Sequence, residues 1–176
     1  AAGEVAANVE GESVRLRLPA PVDHGTMPLD PLDESVHGHF VRAGVPHFVI
    51  LDAGLGPDAL SRWGPRIRRD PRFGPDGTNF DVVIRTRPDR LDLRTWERGV
   101  EGETLSCGSG AVAAAFAARL EGGPATVRVV PASGVPLEVD LPGPPQAPEA
   151  AVLTGDARFL FSAVVNEEAT RGFPDS

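Results

Sequence analysis

The only cysteine of this 176-residue chain, Cys107, lies in the segment SCGSGA at the start of a long apolar run. Residues 109–120 are rich in alanine, which favours a helix, and they are apolar on all sides, which predicts a buried one. A helix N-terminus has unpaired N–H groups and about half a positive charge, so it stabilises anions and lowers the pKa of a thiol. We therefore expect Cys107 to have a lowered pKa and to be able to act as a general base beside a bound carboxylic acid.

Residues on both sides of this cysteine could complete such a site. Gly108 and Ser109 carry little side-chain bulk, so their backbone N–H groups could hold a carboxylate. Glu97 and Glu103 lie upstream and could orient the thiol or hold a cationic group. Arg98 could pair with a second carboxylate through two parallel hydrogen bonds.

Structural interpretations of the same residues remain open from the pattern alone. A lone cysteine beside an apolar helix is typical of a packed, inert side chain. His47, at the start of a predicted strand, is typical of a structural histidine. Glu97 fits a solvated strand end, and Asn79 fits a turn.

Composition excludes several classes of function. The net charge of −8 gives no electrostatic reason to bind nucleic acid or an anionic membrane. No apolar run approaches the roughly 20 residues that a membrane-spanning helix needs. One cysteine excludes an internal disulfide and favours a reducing cytoplasm. All 17 basic residues are arginine, so the chain has no lysine to form a Schiff base with pyridoxal phosphate.

Hydrophobic patterning predicts a β-rich body around one apolar helix, an α+β arrangement with a sheet wrapped on a helix. The stretch over residues 19–34 is rich in proline and aspartate, which predicts a loop or linker. A helix with a break at Pro65 is predicted over residues 57–70. Strands are predicted over residues 13–18, 48–51, 82–87, 91–97, 126–130, 137–141, 151–154 and 158–165.

Three motifs together resemble one family. The segment ERGVEGETLSCGSGA resembles the signature of diaminopimelate epimerases around their second catalytic cysteine. GVPHFVI resembles that family's Gly-Asn-Pro-His segment, and RDPRFGPDGTNFDVV resembles the segment that runs to its substrate-binding asparagine. The resemblance is specific from about residue 42 to residue 165.

The resemblance implies a domain organisation. The family has two similar domains, each a barrel-like sheet wrapped around a central helix, with the active site between them. Residues 1–41 look like the closing strands of a truncated N-terminal domain plus a linker. Residues 42–165 would be the C-terminal epimerase domain, and residues 166–176 a C-terminal tail.

The resemblance also implies an activity. The family interconverts LL- and meso-diaminopimelate in lysine biosynthesis without a cofactor or a metal, and its members are often dimeric. One thiolate removes the α-proton, and a thiol returns a proton to the opposite face. Cys107 would be one of these two thiols, Glu97 the partner that tunes it, and His47 the partner of the opposite cysteine.

The remaining site residues would bind substrate. By the resemblance, Gly108 and Ser109 would hold the reacting carboxylate at the helix terminus. Asn79 and Arg98 would hold the distal, non-reacting end of the amino acid. The expected partner is therefore a small amino acid, with a homodimer possible.

Two departures from the family pattern keep other functions open. The family's other catalytic cysteine is absent, so this chain alone is not expected to be a competent epimerase. Val45 stands where the family has an asparagine that contacts substrate, which admits a homologue that binds another amino acid or has lost catalysis. A cysteine hydrolase using Cys107 and His47 is a third class, although no hydrolase signature surrounds them.

Overall fold

The strands of the chain join in one mixed sheet. The computed structural model describes residues 5–51 and 54–170. The strands in chain order are β1 Ala6–Glu10, β2 Ser13–Leu18, β3 Val22–Asp30, β4 Asp33–Ala43, β5 Val45–Leu51, β6 Asn79–Arg87, β7 Arg90–Glu97, β8 Gly102–Thr104, β9 Thr126–Val130, β10 Leu137–Asp140 and β11 Ala151–Asp156. The helices are α1 Ala59–Ile67, α2 Gly108–Leu120 and α3 Glu167–Thr170.

The order of strands across the sheet is β1-β2-β11-β10-β9-β7-β6-β5-β4-β3, with β8 paired to β7 beside this path. The β5–β6 and β7–β9 pairs are parallel, and the other pairs are antiparallel. The parallel β5–β6 pair matters most for the site, because it sets His47 beside Asn79.

Helix α2 forms the centre of the larger hydrophobic core. It contacts seven strands, β4 to β7 and β9 to β11, so the sheet curls around it. Every residue of α2 from Gly110 to Arg119 is buried, which its alanine-rich sequence permits because small side chains let strands approach on all sides. The predicted α+β fold, a sheet wrapped around one apolar helix, is confirmed.

Helix α1 packs on the other side of the central strands. Its buried residues include Leu60, Gly64 and Ile67, which recur with helical spacing. A Cβ atom on Gly64 would stand 2.5 Å from the Trp96 indole, so only glycine lets the helix lie flat on that ring. A smaller, aromatic core with Phe48 and Phe80 fills this side.

The prediction of a loop or linker over residues 19–34 is wrong. Residues 22–30 form β3, and β4 begins at Asp33. Pro28 fits because β3 is the last strand of the sheet, where a missing N–H costs no ladder hydrogen bond, and the pairing shifts register there.

The predicted strand over residues 158–165 is also wrong. Strand β11 ends at Asp156, opposite Ser13, which is the first residue of its partner β2. One further backbone hydrogen bond follows, from the Ala157 N–H to the Glu12 carbonyl at 2.8 Å, and the pairing ends there because β2 begins at Ser13. The apolar side chains of this segment are instead exposed, with Phe159 at 86% and Phe161 at 75%.

The predicted division into residues 1–41, 42–165 and 166–176 remains a prediction. Strands β1 to β4 belong to the same sheet as the rest of the chain. Residues 1–4 and 171–176, which include the start of the first segment and most of the tail, lie outside the described residues. Within the described ranges, no helix is long and apolar enough to span a membrane.

Candidate active site

Cys107 is the residue directly before the first turn of α2. Its backbone is extended, and its Sγ accepts a hydrogen bond from the Gly110 N–H at 3.4 Å. Such a cap satisfies one of the N–H groups that a helix N-terminus leaves unpaired. Gly108 and Ser109 follow as the first two residues of the helix, which begins one residue before the predicted range of 109–120.

His47 enters the same region from β5. Its Nδ1 lies 2.7 Å from Oδ2 of Asp81 on β6, and both side chains are fully buried. Thr95 stands opposite Asp81 on β7, and its hydroxyl donates to Asp81 Oδ1 at 2.6 Å. Both oxygens of this buried carboxylate therefore have partners, which a carboxylate away from water requires.

Ser109 connects the histidine to the cysteine. Its Oγ lies 3.0 Å from His47 Nε2 and 3.5 Å from Cys107 Sγ. A continuous chain of hydrogen bonds thus runs from the thiol to Asp81. We call Cys107, Ser109, His47, Asp81 and Thr95 the buried polar cluster.

Asn79 and Arg98 meet at the edge of this cluster. The Arg98 backbone N–H donates to Asn79 Oδ1 at 2.7 Å. Asn79 Nδ2 donates to the Pro46 carbonyl at 3.0 Å and lies 3.4 Å from His47 Nε2. The half-buried Arg98 guanidinium forms no hydrogen bond or ion pair with any residue that the structure describes, so it can bind an external anion.

The expectation of a lowered pKa for Cys107 is wrong. The pKa of this thiol is raised from 9.0 to about 11, mainly by burial and then by the charges of Asp81 and Glu97. Hydrogen bonds from Ser109 and from the Gly110 N–H lower the pKa but do not offset burial. The thiol is only 7% exposed, so loss of hydration outweighs the helix terminus.

The two glutamates proposed to orient the thiol behave differently. Glu97 ends β7, and its charge acts on Cys107 through space; its carboxylate makes no hydrogen bond to the described residues. Glu103 instead forms a bidentate ion pair with Arg94, with both N–O distances at 2.7 Å. Glu103 therefore holds a cationic group, which is the second of the two roles that the sequence suggested for it.

The donor set near Cys107 does not form a metal centre. Among residues 5–51 and 54–170, no group of three or more His, Cys, Asp or Glu side chains is placed to hold a metal ion.

Known proteins resemble this chain along most of its length. The profile of the diaminopimelate epimerase family matches residues 39–160. The chain is 35% identical over 167 residues to the diaminopimelate epimerase of Aquifex aeolicus, covering 94% of this chain and 58% of that relative. The chain belongs to the diaminopimelate epimerase family.

Solved structures with low identity share the fold of this family member. A hydroxyproline epimerase from Agrobacterium vitis, crystallised with trans-4-hydroxy-L-proline, superposes with a TM-score of 0.57 at 17% identity, covering 86% of this chain and 52% of that one. A putative phenazine biosynthesis PhzC/PhzF protein from Clostridium difficile superposes with a TM-score of 0.60 at 10% identity, covering 93% and 62%. At these identities the likeness establishes the fold alone.

The chain spans only about half the length of the curated epimerases that it matches. It covers 58% of the Aquifex aeolicus relative and 42% of the one from Gemmatimonas aurantiaca, to which it is 44% identical over 119 residues. The family match therefore describes the part of such an enzyme that this chain contains.

Sequence reasoning missed two members of the polar cluster of this diaminopimelate epimerase homologue, Asp81 and Thr95. The signal for Asp81 was present in NFDVVI, where a lone carboxylate interrupts an apolar strand. Alternation along β6 places it with Asn79 and Val83 on the face toward α2. A charged residue on a core-facing position needs a buried partner, and His47 is that partner.

Proposed function

We propose that this chain supplies one half of the active site of a diaminopimelate epimerase, with Cys107 as one of two acid/base thiols. The observation that carries the proposal is the convergence of Cys107, Ser109, His47 and Asn79 at the N-terminus of α2. Three separate segments of the family motifs meet there. Membership of the family supports diaminopimelate as the substrate.

The helix N-terminus supplies the groups that bind the reacting carboxylate. The N–H groups of Gly108 and Ser109 belong to the first turn of α2, where no intrahelical carbonyl reaches them. A carboxylate held there leaves the adjacent α-carbon near the thiol and stabilises charge that develops on it. The Arg98 guanidinium binds the distal end of the substrate, in line with its lack of a partner among the described residues.

The raised pKa of Cys107 sets its part in the reaction. At neutral pH the thiol is protonated in this chain, because its pKa is about 11. In one direction it is the acid that delivers a proton to the α-carbon. In the other direction it must lose its proton before it acts as the base. Glu97 adds negative charge near Cys107 and favours the thiol.

Inversion needs a second group on the opposite face of the α-carbon. The chain has one cysteine and matches about half of its relatives' length, so we propose that it does not epimerise on its own. In this proposal residues 1–41 close a first domain, residues 42–165 form the second, and residues 166–176 are a tail. A homodimer and a cytoplasmic location, where a lone thiol stays reduced, follow from the resemblance.

Val45 favours a second candidate substrate. It begins β5, two residues before His47, and is apolar where the resemblance expects an asparagine that contacts substrate. A valine there cannot hydrogen-bond a polar group of the ligand. The alternative is therefore a homologue that binds another amino acid, either as an epimerase or without catalysis. The lack of a hydrolase signature around Cys107 and His47 disfavours the cysteine-hydrolase alternative.

The test joins this chain to the part of the Aquifex aeolicus relative that it does not cover. Proton NMR of LL- and meso-diaminopimelate in D₂O then follows loss of the α-proton and inversion. We expect the joined protein to show both loss of the α-proton and inversion. We expect Cys107→Ala to reduce the rate of epimerisation by at least about a thousandfold, since it removes one of two obligatory proton carriers. Full activity of Cys107→Ala would contradict the acid/base role.

Two controls interpret the result. Circular dichroism of Cys107→Ala should match the parent, because the buried thiol is replaced by a smaller apolar group. Val45→Asn separates the two candidate substrates. Tighter binding of diaminopimelate by this variant favours another natural ligand for the chain, whereas weaker binding favours diaminopimelate.

A further inference from the structure

The turn that follows β7 holds Arg98 on a constrained backbone. This turn, residues 98–101, is closed by a hydrogen bond from the Glu101 N–H to the Glu97 carbonyl at 2.9 Å. Glu101 has a φ of 59°, a left-handed conformation that no other non-glycine residue among residues 5–51 and 54–170 adopts. Such a conformation costs free energy and persists only where neighbouring contacts stabilise it. We call residues 98–101 the Arg98 turn.

The Glu101 carboxylate makes those contacts. Its Oε1 accepts hydrogen bonds from the Gly99 N–H at 3.3 Å and from Arg68 Nε at 2.8 Å. Its Oε2 accepts a hydrogen bond from Arg69 Nη2 at 3.3 Å. Arg68 is the residue directly after α1, and its side chain is only 17% exposed. The Arg98 turn is therefore bound both within itself and to the C-terminal end of α1.

Arg68 also binds the segment that leads into Asn79. Its Nη1 donates to the Asp76 carbonyl at 2.8 Å, and its own carbonyl accepts from the Thr78 N–H at 3.4 Å. Gly77 lies between these two contacts with a φ of 67°, and a Cβ atom there would stand 2.0 Å from the Arg68 carbonyl oxygen. Only glycine lets this segment lie so close to Arg68. Asn79 follows as the first residue of β6.

Arg68 thus connects the two segments that carry Arg98 and Asn79. The same two segments also meet directly, since the Arg98 N–H donates to Asn79 Oδ1 at 2.7 Å. The backbone on each side of that hydrogen bond is bound to one arginine, Arg68, which fixes the separation of the two residues. The Arg98 guanidinium has no partner among the described residues, so the place of this side chain depends on how firmly its backbone is held.

We propose that Arg68 and Glu101 are positioning residues, which hold the Arg98 turn against the start of β6 and so place Arg98, with Asn79, to bind the distal end of the substrate. This inference rests on the proposed function, in which Arg98 binds that end. Contacts to the distal end are the same before and during proton transfer at the α-carbon. Loss of the link between Arg68 and Glu101 should therefore weaken substrate binding and leave the chemical step nearly intact.

The first test measures backbone amide hydrogen exchange by NMR in this chain and needs no substrate. Arg68→Gln removes the charged donor of the link, and Glu101→Gln removes the charge of its acceptor. In each variant we expect the Arg98 amide to exchange at least about tenfold faster, because the turn opens locally, while the amides of α2 keep their parent rates. Unchanged exchange at Arg98 in both variants would overturn the proposal. Faster exchange throughout the chain would indicate a merely structural role and would overturn it too.

Asp92→Asn is the matched control for the loss of an ion pair. Asp92 lies on β7, the strand that leads into the Arg98 turn, and pairs with Arg90 at 3.2 Å, with both side chains 42% exposed. We expect the Arg98 amide to exchange at the parent rate in this variant. Faster exchange there would show that the loss of any nearby ion pair loosens the turn, which contradicts the assignment to Arg68 and Glu101.

Glu101→Asn separates the carboxylate from the shape of the turn. Asparagine is among the non-glycine residues that adopt a left-handed conformation most readily, so the turn can keep its backbone while the ion pair with Arg68 is lost. We expect the Arg98 amide to exchange as fast in this variant as in Glu101→Gln. Exchange at the parent rate would show that backbone conformation alone positions Arg98, and it would overturn the role of the carboxylate.

Kinetics of the joined protein test the consequence for the substrate. We expect Arg68→Gln and Glu101→Gln each to raise KM for diaminopimelate by roughly tenfold with kcat within about threefold of the parent, as loss of binding shared by the ground state and the transition state does. The double variant should raise KM about as much as one single variant, because both changes break the same link. A fall in kcat at unchanged KM would contradict the positioning role.

The outcomes separate this inference from the proposed function. A joined protein that exchanges no α-proton would contradict the proposed function, while amide exchange at Arg98 would still decide whether Arg68 and Glu101 hold the turn. A joined protein that epimerises with the parent KM in both variants would contradict the positioning role alone.

Discussion

Helix α2 has buried polar side chains at both of its ends, but the hydrogen-bond partners of these side chains differ between the two ends. At the N-terminus, Cys107 and Ser109 continue into a histidine and a carboxylate. At the C-terminus, the buried Arg119 donates to the carbonyls of Leu141 and Gly143. The N-terminal end of α2 therefore takes part in a chain of side-chain hydrogen bonds, whereas the charged arginine at its C-terminal end is bound by backbone carbonyls.

The groups at the N-terminal end of α2 can transfer protons, whereas those at the C-terminal end can only stabilise the fold. An arginine keeps its proton at any ordinary pH, and a backbone carbonyl accepts without ever donating, so the Arg119 end cannot relay a proton. At the Cys107 end, the thiol, the hydroxyl and the imidazole can each both give and receive one. Burial of polar groups alone thus does not mark a functional site; the ability of those groups to exchange protons does.

The largest effect on stability is expected at the Arg119 end. Arg119→Met retains the apolar stem but leaves two carbonyls without their charged donor, so we expect the free energy of unfolding to fall by about 2 to 4 kcal/mol. Denaturant unfolding measures this loss. The ionisation midpoint of Cys107 should stay the same in this variant. A shift of that midpoint would show that the two ends of α2 are not independent.

A smaller effect is expected from Gly110→Ala at the other end. The new Cβ would stand 3.1 Å from both Asp81 Oδ1 and Thr95 Oγ1, which are buried and hydrogen-bonded to each other. Crowding of this kind costs about 1 to 3 kcal/mol, and the gain in helix propensity returns about 1 kcal/mol. Thermal unfolding should therefore show a net loss of stability.

Gly108→Ala is the matched control for that substitution. Its Cβ would meet only the end of the Leu153 side chain, at 3.2 Å, and that side chain can move. We expect stability equal to or above that of the parent. Equal losses of stability in Gly108→Ala and Gly110→Ala would show that crowding against Asp81 and Thr95 is not the cause of the loss.

The smallest expected effect is that of Glu97→Gln. The charge of Glu97 raises the pKa of Cys107 less than burial or Asp81 does, so its removal should lower the pKa slightly. A pH titration of the thiol measures the change. Glu103→Gln is the control, because the Glu103 carboxylate is paired with Arg94; a larger shift in Glu103→Gln than in Glu97→Gln would contradict the account.

Sequence reasoning predicted the parts of the fold that depend on local pattern. The alanine-rich run predicted α2 within one residue, and the strands predicted over residues 82–87 and 91–97 lie within β6 and β7. It failed where tertiary position decides. Residues 19–34 have the composition of a loop but form strands at the sheet edge, and residues 158–165 have the pattern of a strand but lie beyond the end of their would-be partner.

The site shows the same division. Family motifs predicted Cys107, His47, Asn79 and Ser109, which the fold brings together. The protonation state of the Cys107 thiol could not be predicted. The sequence indicates that the thiol lies at a helix terminus, but it does not give the degree of burial. Asp81 was missed for a related reason, since its partner lies 34 residues away along the chain.

The most direct measurement is a pH titration of the Cys107 thiolate by its ultraviolet absorbance. The chain has no tyrosine and no lysine, so apart from its terminal amine nothing else is expected to titrate between pH 9 and the arginine range. The central claim is that Cys107 is a buried, protonated thiol at the α2 N-terminus, which predicts a midpoint near pH 11.

Stability should follow the same ionisation. The folded pKa lies above the ordinary value of 9.0, so the stabilisation that the buried thiol contributes is complete below pH 9 and is lost as pH rises through about 11. A midpoint near 11 in the folded chain supports the account. A midpoint below 9.0 would contradict it, because the helix terminus would then outweigh burial and Cys107 would enter the reaction as a ready-made thiolate.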